Sequence, residues 1–591
     1  MIGKEQTMVR GRSRGRRPRG IMAVPVHGAE VDWHSEPEKG MATDTDWKRL
    51  DRFLCLGAES GPYQVKGFEA NVDRNSATVR CIRADAVRVV GRVLTLRQQG
   101  CLAANGAGIF VMALVTALGD DAGRSEACAG VPQICRTASD LFLFAERVTT
   151  LRGWGRGLRR AVGNWYRARY ADDLAYQILK CPRRGGWSHR DLLRLAHPTP
   201  ATREQAAVFR WILGGAEGMG RRTVVRELPE IPADNAGEGA LGLCGEPAPT
   251  RRFRAVTYPG VGELPRLLRG VEEGRRAQTR DELVRVIGEY DLPREAIPAA
   301  WQCDREIWEA LLHRMPLEGV LRNLSHLSEV GVLTPGSESA WWIENRLRDA
   351  EVLRGSGLHP MAFLLASRTY QRGKTSATGP QWIPVPAVID ALNDAFYATF
   401  PQVRRVGRPM LLALDTSEST RSSTVPESGL TVREAAAAMA LIAIATEPSC
   451  MVAVLASPEN GSGVINLTTK GGLTLLDLHP GMQLSEVLDR LDSFPTGQPD
   501  CSLPIDWARR HRIPVEAFVT YTDGDVWPDS DGGPSAALER YRAELGIDAK
   551  SVVVGMSGAA FELADAADDT MLDVHGFDET TAEVVAGFLR G

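Results

Sequence analysis

Near residue 407 the spacing of apolar residues changes character, and no single repeating architecture accommodates both patterns. The 591-residue chain must therefore join two kinds of fold. Upstream, from about residue 48 to 404, apolar side chains recur at intervals of three and four in short amphipathic runs. Thr279 and Glu282 have the spacing of a capping box, Leu283, Val286, Ile287 and Tyr290 then share one helical face, and Pro293 ends the run. Ile307, Trp308, Leu311, Leu312 and Met315 make the next stripe, Pro316 opens another helix, and Val320, Leu321, Leu324 and Leu327 continue it. Successive short helices of this kind predict antiparallel pairs in an α-solenoid or related bundle, although no self-similarity at a fixed period accompanies them.

Downstream, a short apolar run at 410–414 ends at Asp415. A helical pattern over 432–446, a strand at 451–455, a helix at 484–491 and a strand at 517–521 ending near Asp523 follow. A helix around 536–545, a strand at 551–555 and a closing helix near 581–589 complete the alternation. Such alternation predicts a doubly wound, mostly parallel sheet. The expected fold class is α plus α/β, with helical repeats over 48–404 and a Rossmann-like domain over 405–591.

The formal net charge of -4 conceals an asymmetry. After residue 405 acidic residues outnumber basic ones roughly two to one, so the helical part must be net positive. Its basic character is densest between Arg152 and His197, where roughly a dozen basic residues face about three acidic ones and arginines alternate with aromatics. Arginine offers forked donors to phosphate, and Trp154, Trp165, Tyr166 and Trp187 have flat faces of the kind on which unstacked bases lie. The same aromatics at helical spacing are equally read as core.

Ten cysteines are scattered from Cys55 to Cys501 without a C-x-x-C pair, which argues against a zinc site or disulfide framework and for a reducing, cytoplasmic compartment. The longest apolar run, 435–445, is too short to span a bilayer, and no membrane partner is expected. Residues 1–47 read as a disordered basic arm: IMAVPVHGA, interrupted by Pro25, is a poor secretory core. The arm either adds non-specific phosphate affinity or is an upstream extension of the reading frame. Residues 217–262, rich in Gly, Pro, Ala and Glu, read as a mobile surface insertion.

Asp415, Ser417 and Ser419 form D-x-S-x-S at the expected carboxyl end of the first strand of the α/β part, and Asp523 ends another. In an open α/β sheet these ends share a crevice, and carboxylate and hydroxyl oxygens completed by water suit a hard divalent cation such as magnesium. The pattern resembles the metal-ion-dependent adhesion site (MIDAS) of von Willebrand factor type A domains. The plainer alternative is a polar turn and helix cap. A phosphotransfer role of the haloacid dehalogenase kind needs a second carboxylate where Ser417 stands, so hydrolysis is not the expected chemistry here.

The segments DRFLCLGAESGPYQVK, WGRGLRRAVGNWY, GWSHRDLLRLAHPTP, TRDELVRVIGEY, IWEALLHRMPLEGVLRNL, HPMAFLLA, DCSLPIDWA and LDVHGFD carry a resemblance to the Ro ribonucleoprotein family from about Trp47 to the C-terminus. Members of that family join a TROVE module to a von Willebrand factor type A domain. The resemblance implies a ring of HEAT-like repeats, Y RNAs on its basic outer surface and single-stranded 3′ ends of misfolded non-coding RNAs in its hole. Bacterial relatives further imply an exoribonuclease tethered through the RNA. His189 matches the family histidine at the RNA surface, although Ser188 and Asp191 also make it a plain first-turn residue. Arg152, Arg156, Arg159, Arg160, Lys180, Arg183, Arg184, Arg190 and Arg194 are the phosphate contacts chosen on charge.

One departure concerns the metal loop. Where the family has a Gly-Gly-Thr-Asp-Cys-type loop with a ligating threonine, this chain has Gly497-Gln498-Pro499-Asp500-Cys501, and proline offers no side-chain oxygen. Thr496, Asp500 and Ser502 are the available substitutes. The reading is a non-enzymatic RNA scaffold in RNA quality control, maturation or degradation. Its rivals are a protein-interaction adaptor with a plain solenoid, and a metal-dependent nuclease, for which no convincing carboxylate cluster exists.

Overall fold

Residues 42–65, 76–100, 102, 105–214, 264–374, 379–455, 473–494, 500–525, 532–565 and 567–590 are described by a computed structural model. The first helix, Asp44–Leu56, starts at a capping box in which Thr43 and Asp46 satisfy each other's backbone N–H groups, and it ends where Gly57 turns left-handed. Residues 44–47, assigned above to a disordered arm, therefore belong to the helical domain; Thr43-x-x-Asp46 is the signal that marks the boundary. Residues 1–41 and the whole 217–262 insertion lie outside the described residues.

Short helices then follow one another to residue 398. The Thr279–Glu282 box caps the Arg280–Tyr290 helix, which buries Leu283, Val286 and Ile287. That helix stops at Asp291, in the left-handed region at φ 54°, two residues before the proline expected to end it. Tyr290 is half-buried and donates its hydroxyl proton to Glu273 Oε1 at 2.7 Å. Pro316 opens the Leu317–Glu329 helix.

Nine short strands occur among the described residues. β1 is Tyr63–Gln64, and β2 (Arg183–Arg184) with β3 (Trp187–Ser188) makes a small antiparallel hairpin. β4 (Met410–Asp415), β5 (Cys450–Leu455), β6 (Leu473–Leu476), β7 (Ala517–Thr522), β8 (Lys550–Gly555) and β9 (Met571–His575) belong to the second half. The main sheet runs β1-β9-β8-β7-β4-β5-β6, and all its pairings are parallel except β5 with β6. β4 is buried at every position, which explains its unbroken apolar run up to Asp415. On one face lies the Val432–Thr446 helix, buried almost all round. The opposite face carries a second core of Leu411, Ala413, Leu455 and Phe518 against Ala537, Leu538 and Tyr541.

The helical series starts and ends on this domain. β1 adds to the sheet edge in register Tyr63 with Val574 and Gln64 with His575, and Arg52 donates to the Met571 carbonyl at 3.1 Å. At the other end, the Tyr397 hydroxyl oxygen accepts the Leu484 backbone N–H at 2.8 Å, shortly before the chain enters β4. The helices thus form a circuit closed by the α/β domain. Among the described residues no helix is long and apolar enough to cross a membrane, and the described cysteines are free thiols.

Candidate nucleic-acid interface and metal site

The Arg156–Arg167 helix separates its chemistry by face. Leu158, Ala161, Val162, Trp165 and Tyr166 are buried, while Arg156, Arg159, Arg160, Asn164 and Arg167 are exposed. Trp165 donates its indole N–H to the Cys135 carbonyl at 2.6 Å, and the Tyr166 hydroxyl meets His189 Nδ1 at 2.8 Å. These two rings are core, so they are not stacking platforms; they lie in helical phase with Leu158 and Val162. Trp154 and Trp187 are half-buried and pack edge to face at 5.5 Å. The freely exposed aromatics are instead Tyr170, 86% exposed just past the helix end, and Tyr176, 45% exposed. Their exposure follows from helix phase and termination, which closeness to arginine in sequence does not report.

The arginines divide by partner. Arg152 donates to the Thr116 carbonyl, Arg184 to Ser139 Oγ, and Lys180 pairs with Glu295 at 2.8 Å, so these three are already engaged within the protein. Arg169 is spent on the fold: it stacks 3.6 Å over Trp165 and donates to the carbonyls of Trp165, Cys135 and Arg136. Arg156, Arg159, Arg160, Arg167, Arg183, Arg190 and Arg194 are exposed, and none makes an ion pair among the described residues. The contrast with the later helices is sharp. There Arg275, Arg280, Arg285, Arg305, Arg314, Arg322, Arg348 and Arg354 all meet carboxylates within 4 Å. Uncompensated guanidinium groups gathered on one face repel one another, and a polyanion relieves that repulsion.

His189 is the first residue of the His189–Ala196 helix, behind a capping box of Ser188 and Asp191. It is only 2% exposed, which corrects the expectation of an accessible first-turn side chain. Its ring packs on Phe142 at 4.8 Å between centroids as well as on Tyr166. Burial pushes its pKa down to about 4, opposed in part by the nearby carbonyls of Cys181 and Gln177, and Nε2 has no partner in hydrogen-bond geometry. The imidazole is therefore neutral and enclosed. What faces solvent beside it is the β2–β3 hairpin, where Arg183, Arg184, Gly185 and Gly186 line a depression of about 430 Å³.

In the sheet, β4 is where the winding reverses, with β5 on one side and β7 on the other, so its carboxyl end opens into the crevice of an α/β fold. Asp415 is buried there: Oδ1 accepts the Ser417 backbone N–H at 2.7 Å and Oδ2 accepts the Thr522 hydroxyl at 2.8 Å. The Ser417 and Ser419 hydroxyls lie 3.0 Å apart. Asp523 is also buried, and burial together with its charge pushes the Asp415 pKa up to about 6. Arg433, buried on the Val432–Thr446 helix, ties the loop down by donating to the Thr416 and Ser417 carbonyls at 2.8 and 2.9 Å and to Asp492 at 2.6 Å.

This donor set fits a hard divalent cation: two close hydroxyls beside a carboxylate whose ionisation burial opposes and a cation would restore. Among the described residues no three His, Cys, Asp or Glu side chains gather as a metal cage, so any such site depends on its serines. Asp500 Oδ1 accepts both the backbone N–H and the hydroxyl of Ser502, at 2.8 and 2.6 Å, which commits that serine locally. Thr496 and Pro499 lie outside the described residues.

Helical repeats closed into a circuit by an α/β domain with D-x-S-x-S at its switch point define a helical-repeat protein bearing a domain of the von Willebrand A kind. Residues 409–589 match the family model described as the Ro60 vWA domain, and residues 36–232 and 289–379 match the TROVE domain. The chain belongs to the Ro60 family of TROVE proteins. It is 31% identical over 553 residues to the RNA-binding protein RO60 of Deinococcus radiodurans, covering 93% of each chain. It is 28% identical to the protein of that name in Caenorhabditis elegans, covering 93% of this chain and 88% of the relative. The crystal structure of the Deinococcus radiodurans RO (RSR) protein superposes with a TM-score of 0.77, covering 92% of this chain and 99% of the other.

Proposed function

We propose that this protein is a non-enzymatic, RNA-binding scaffold whose main contact face is the surface of the Arg156–Arg167 and His189–Ala196 helices. The observation that carries the reading is the cluster of exposed arginines left without carboxylate partners there, whereas Arg275, Arg280, Arg285, Arg305, Arg314, Arg322, Arg348 and Arg354 on the later helices meet carboxylates. The relatives in Deinococcus and Caenorhabditis are named as RNA-binding proteins, which supports it. Within the family pattern the ligands are Y-like small RNAs and the 3′ ends of misfolded or processed non-coding RNAs. An exoribonuclease reached through the RNA then places the protein in RNA quality control, in the cytoplasm. Asp415, Ser417 and Ser419, with Asp523 through water, hold a magnesium ion that stiffens the crevice. A pure interaction adaptor has no use for an unpaired arginine face, so that rival is not favoured.

Ultraviolet crosslinking in cells, followed by sequencing of RNA attached to the full chain, tests the reading. Recovery of a small set of structured non-coding RNAs supports it; recovery of no RNA above a crosslinked control protein refutes it.

A further inference from the structure

The arginines of the Arg156–Arg167 helix form one wall of a cleft of about 360 Å³, whose other wall is the segment from Ala196 to Thr199. That volume falls within the range of small-ligand pockets, roughly 300–1,000 Å³. Along the helix, Arg156, Arg160 and Asn164 form one row at four-residue spacing, and Arg159, Gly163 and Arg167 form the adjacent row. Every polar group here is uncommitted: neither the four guanidinium groups nor the Asn164 carboxamide has a side-chain partner among the described residues.

Two backbone features keep the cleft open. Gly163 sits mid-helix, where glycine is disfavoured, yet a Cβ there would meet Pro198 Cβ at an ordinary 3.6 Å. Alanine would fit, so the missing side chain deepens the floor without relieving a clash. His197 turns the opposite wall by taking a left-handed conformation at φ 46°, unusual for a residue with a Cβ, and its ring is exposed.

An RNA duplex, whose phosphates lie on a convex surface and whose bases are stacked inside, meets the arginines at the rim of such a cleft but does not fill it. The cleft accepts one nucleotide turned out of a helix. Arginine supplies both phosphate contacts and planes for stacking, and a carboxamide supplies a donor beside an acceptor, the complement of a base edge. We infer that the cleft between the Arg156–Arg167 helix and the Ala196–Thr199 segment holds a single unpaired nucleotide of the RNA, its phosphate on the arginines and its base edge on Asn164. This rests on the RNA-binding reading above and adds to it a requirement for single-stranded RNA at a defined place.

The test uses the full chain and two probes: a blunt RNA hairpin, and the same hairpin with a short single-stranded 3′ extension carrying 4-thiouridine. Asn164→Ala should weaken binding of the extended probe roughly tenfold, the loss of one amide–base pairing, and leave the blunt probe unchanged. The 4-thiouridine should crosslink to peptides containing residues 156–167 or 196–199. Equal effects of Asn164→Ala on both probes, no effect on either, or crosslinks confined to other peptides would overturn the inference. So would equally tight binding of free uridine monophosphate, which would make the cleft a small-metabolite site. The double variant Arg156→Glu/Arg160→Glu separates the two levels. If it weakens both probes while Asn164→Ala does nothing, the RNA reading stands and the cleft assignment fails; if it weakens neither, the RNA reading fails with it.

Discussion

Tyr166 and His189 meet inside the protein, hydroxyl oxygen to Nδ1 at 2.8 Å, and join the Arg156–Arg167 helix to the His189–Ala196 helix through a buried hydrogen bond. The residue that family resemblance assigns to the RNA surface thus acts in this chain beneath that surface, setting the spacing between the helices that carry the exposed arginines.

The buried histidine makes stability depend on pH. Its folded pKa, about 4, lies below the ordinary value of 6.5, so the unfolded chain binds the extra proton first. Its contribution is fully present above about pH 6.5 and is lost as pH falls toward 4, by up to about 3 kcal/mol. His359, also pushed down to about 4 by burial, acts in the same direction. Chemical denaturation of His189→Gln should show a shallower loss between pH 6.5 and 5 than the natural chain, and a lower stability at pH 8. A parallel pH profile in the two proteins would count against a neutral buried imidazole.

The aromatics divide between fold and surface. Trp165→Ala should cost about 3–5 kcal/mol of stability, because it empties a fully buried site and removes one of the two side-chain donors to the Cys135 carbonyl. Tyr170→Ala removes an 86% exposed ring and should leave the unfolding midpoint within about 0.5 kcal/mol. Thermal or urea unfolding of both variants checks the contrast; comparable losses would mean that Tyr170 is not free.

Magnesium should bind weakly, because water replaces the hydroxyl that proline at position 499 cannot supply. Calorimetric titration into the RNA-free full chain should show binding that Asp415→Ala removes and Pro499→Thr tightens. Affinity already in the micromolar range, unimproved by Pro499→Thr, would show that another oxygen has taken the threonine's place.

Much of this architecture is legible in the residues. The boxes Thr279–Glu282 and Ser188–Asp191 start helices as read, and the apolar run before Asp415 is a strand buried on both faces. β9 escapes such a reading because Asp573 and His575 interrupt its apolar pattern. Both are buried: the Leu563 and Ala564 N–H groups satisfy the carboxylate, while the imidazole meets the Phe561 carbonyl through Nε2 and leaves Nδ1 without a hydrogen-bond partner among the described residues. β1 is two residues long and gains its meaning only from a partner strand more than five hundred residues away in the chain. The candidate site was legible as a composition but not as a surface. Lys180 and Arg184 look as available as Arg160 until Glu295 and Ser139, distant in sequence, are brought beside them. Local spacing cannot report such pairings, and it cannot show that Trp165 and Tyr166 face inward.

The central claim is that the unpaired arginines are the phosphate contacts. Affinity of the full chain for a structured RNA, measured across a range of salt concentrations, tests it most directly when the natural protein is compared with Arg156→Glu/Arg160→Glu. Each lost contact removes roughly 0.7–0.9 from the slope of log affinity against log salt, so the double variant should bind more weakly with a slope shallower by roughly 1.4–1.8. An unchanged slope and affinity in a normally folded double variant would contradict the account and put the RNA on another face.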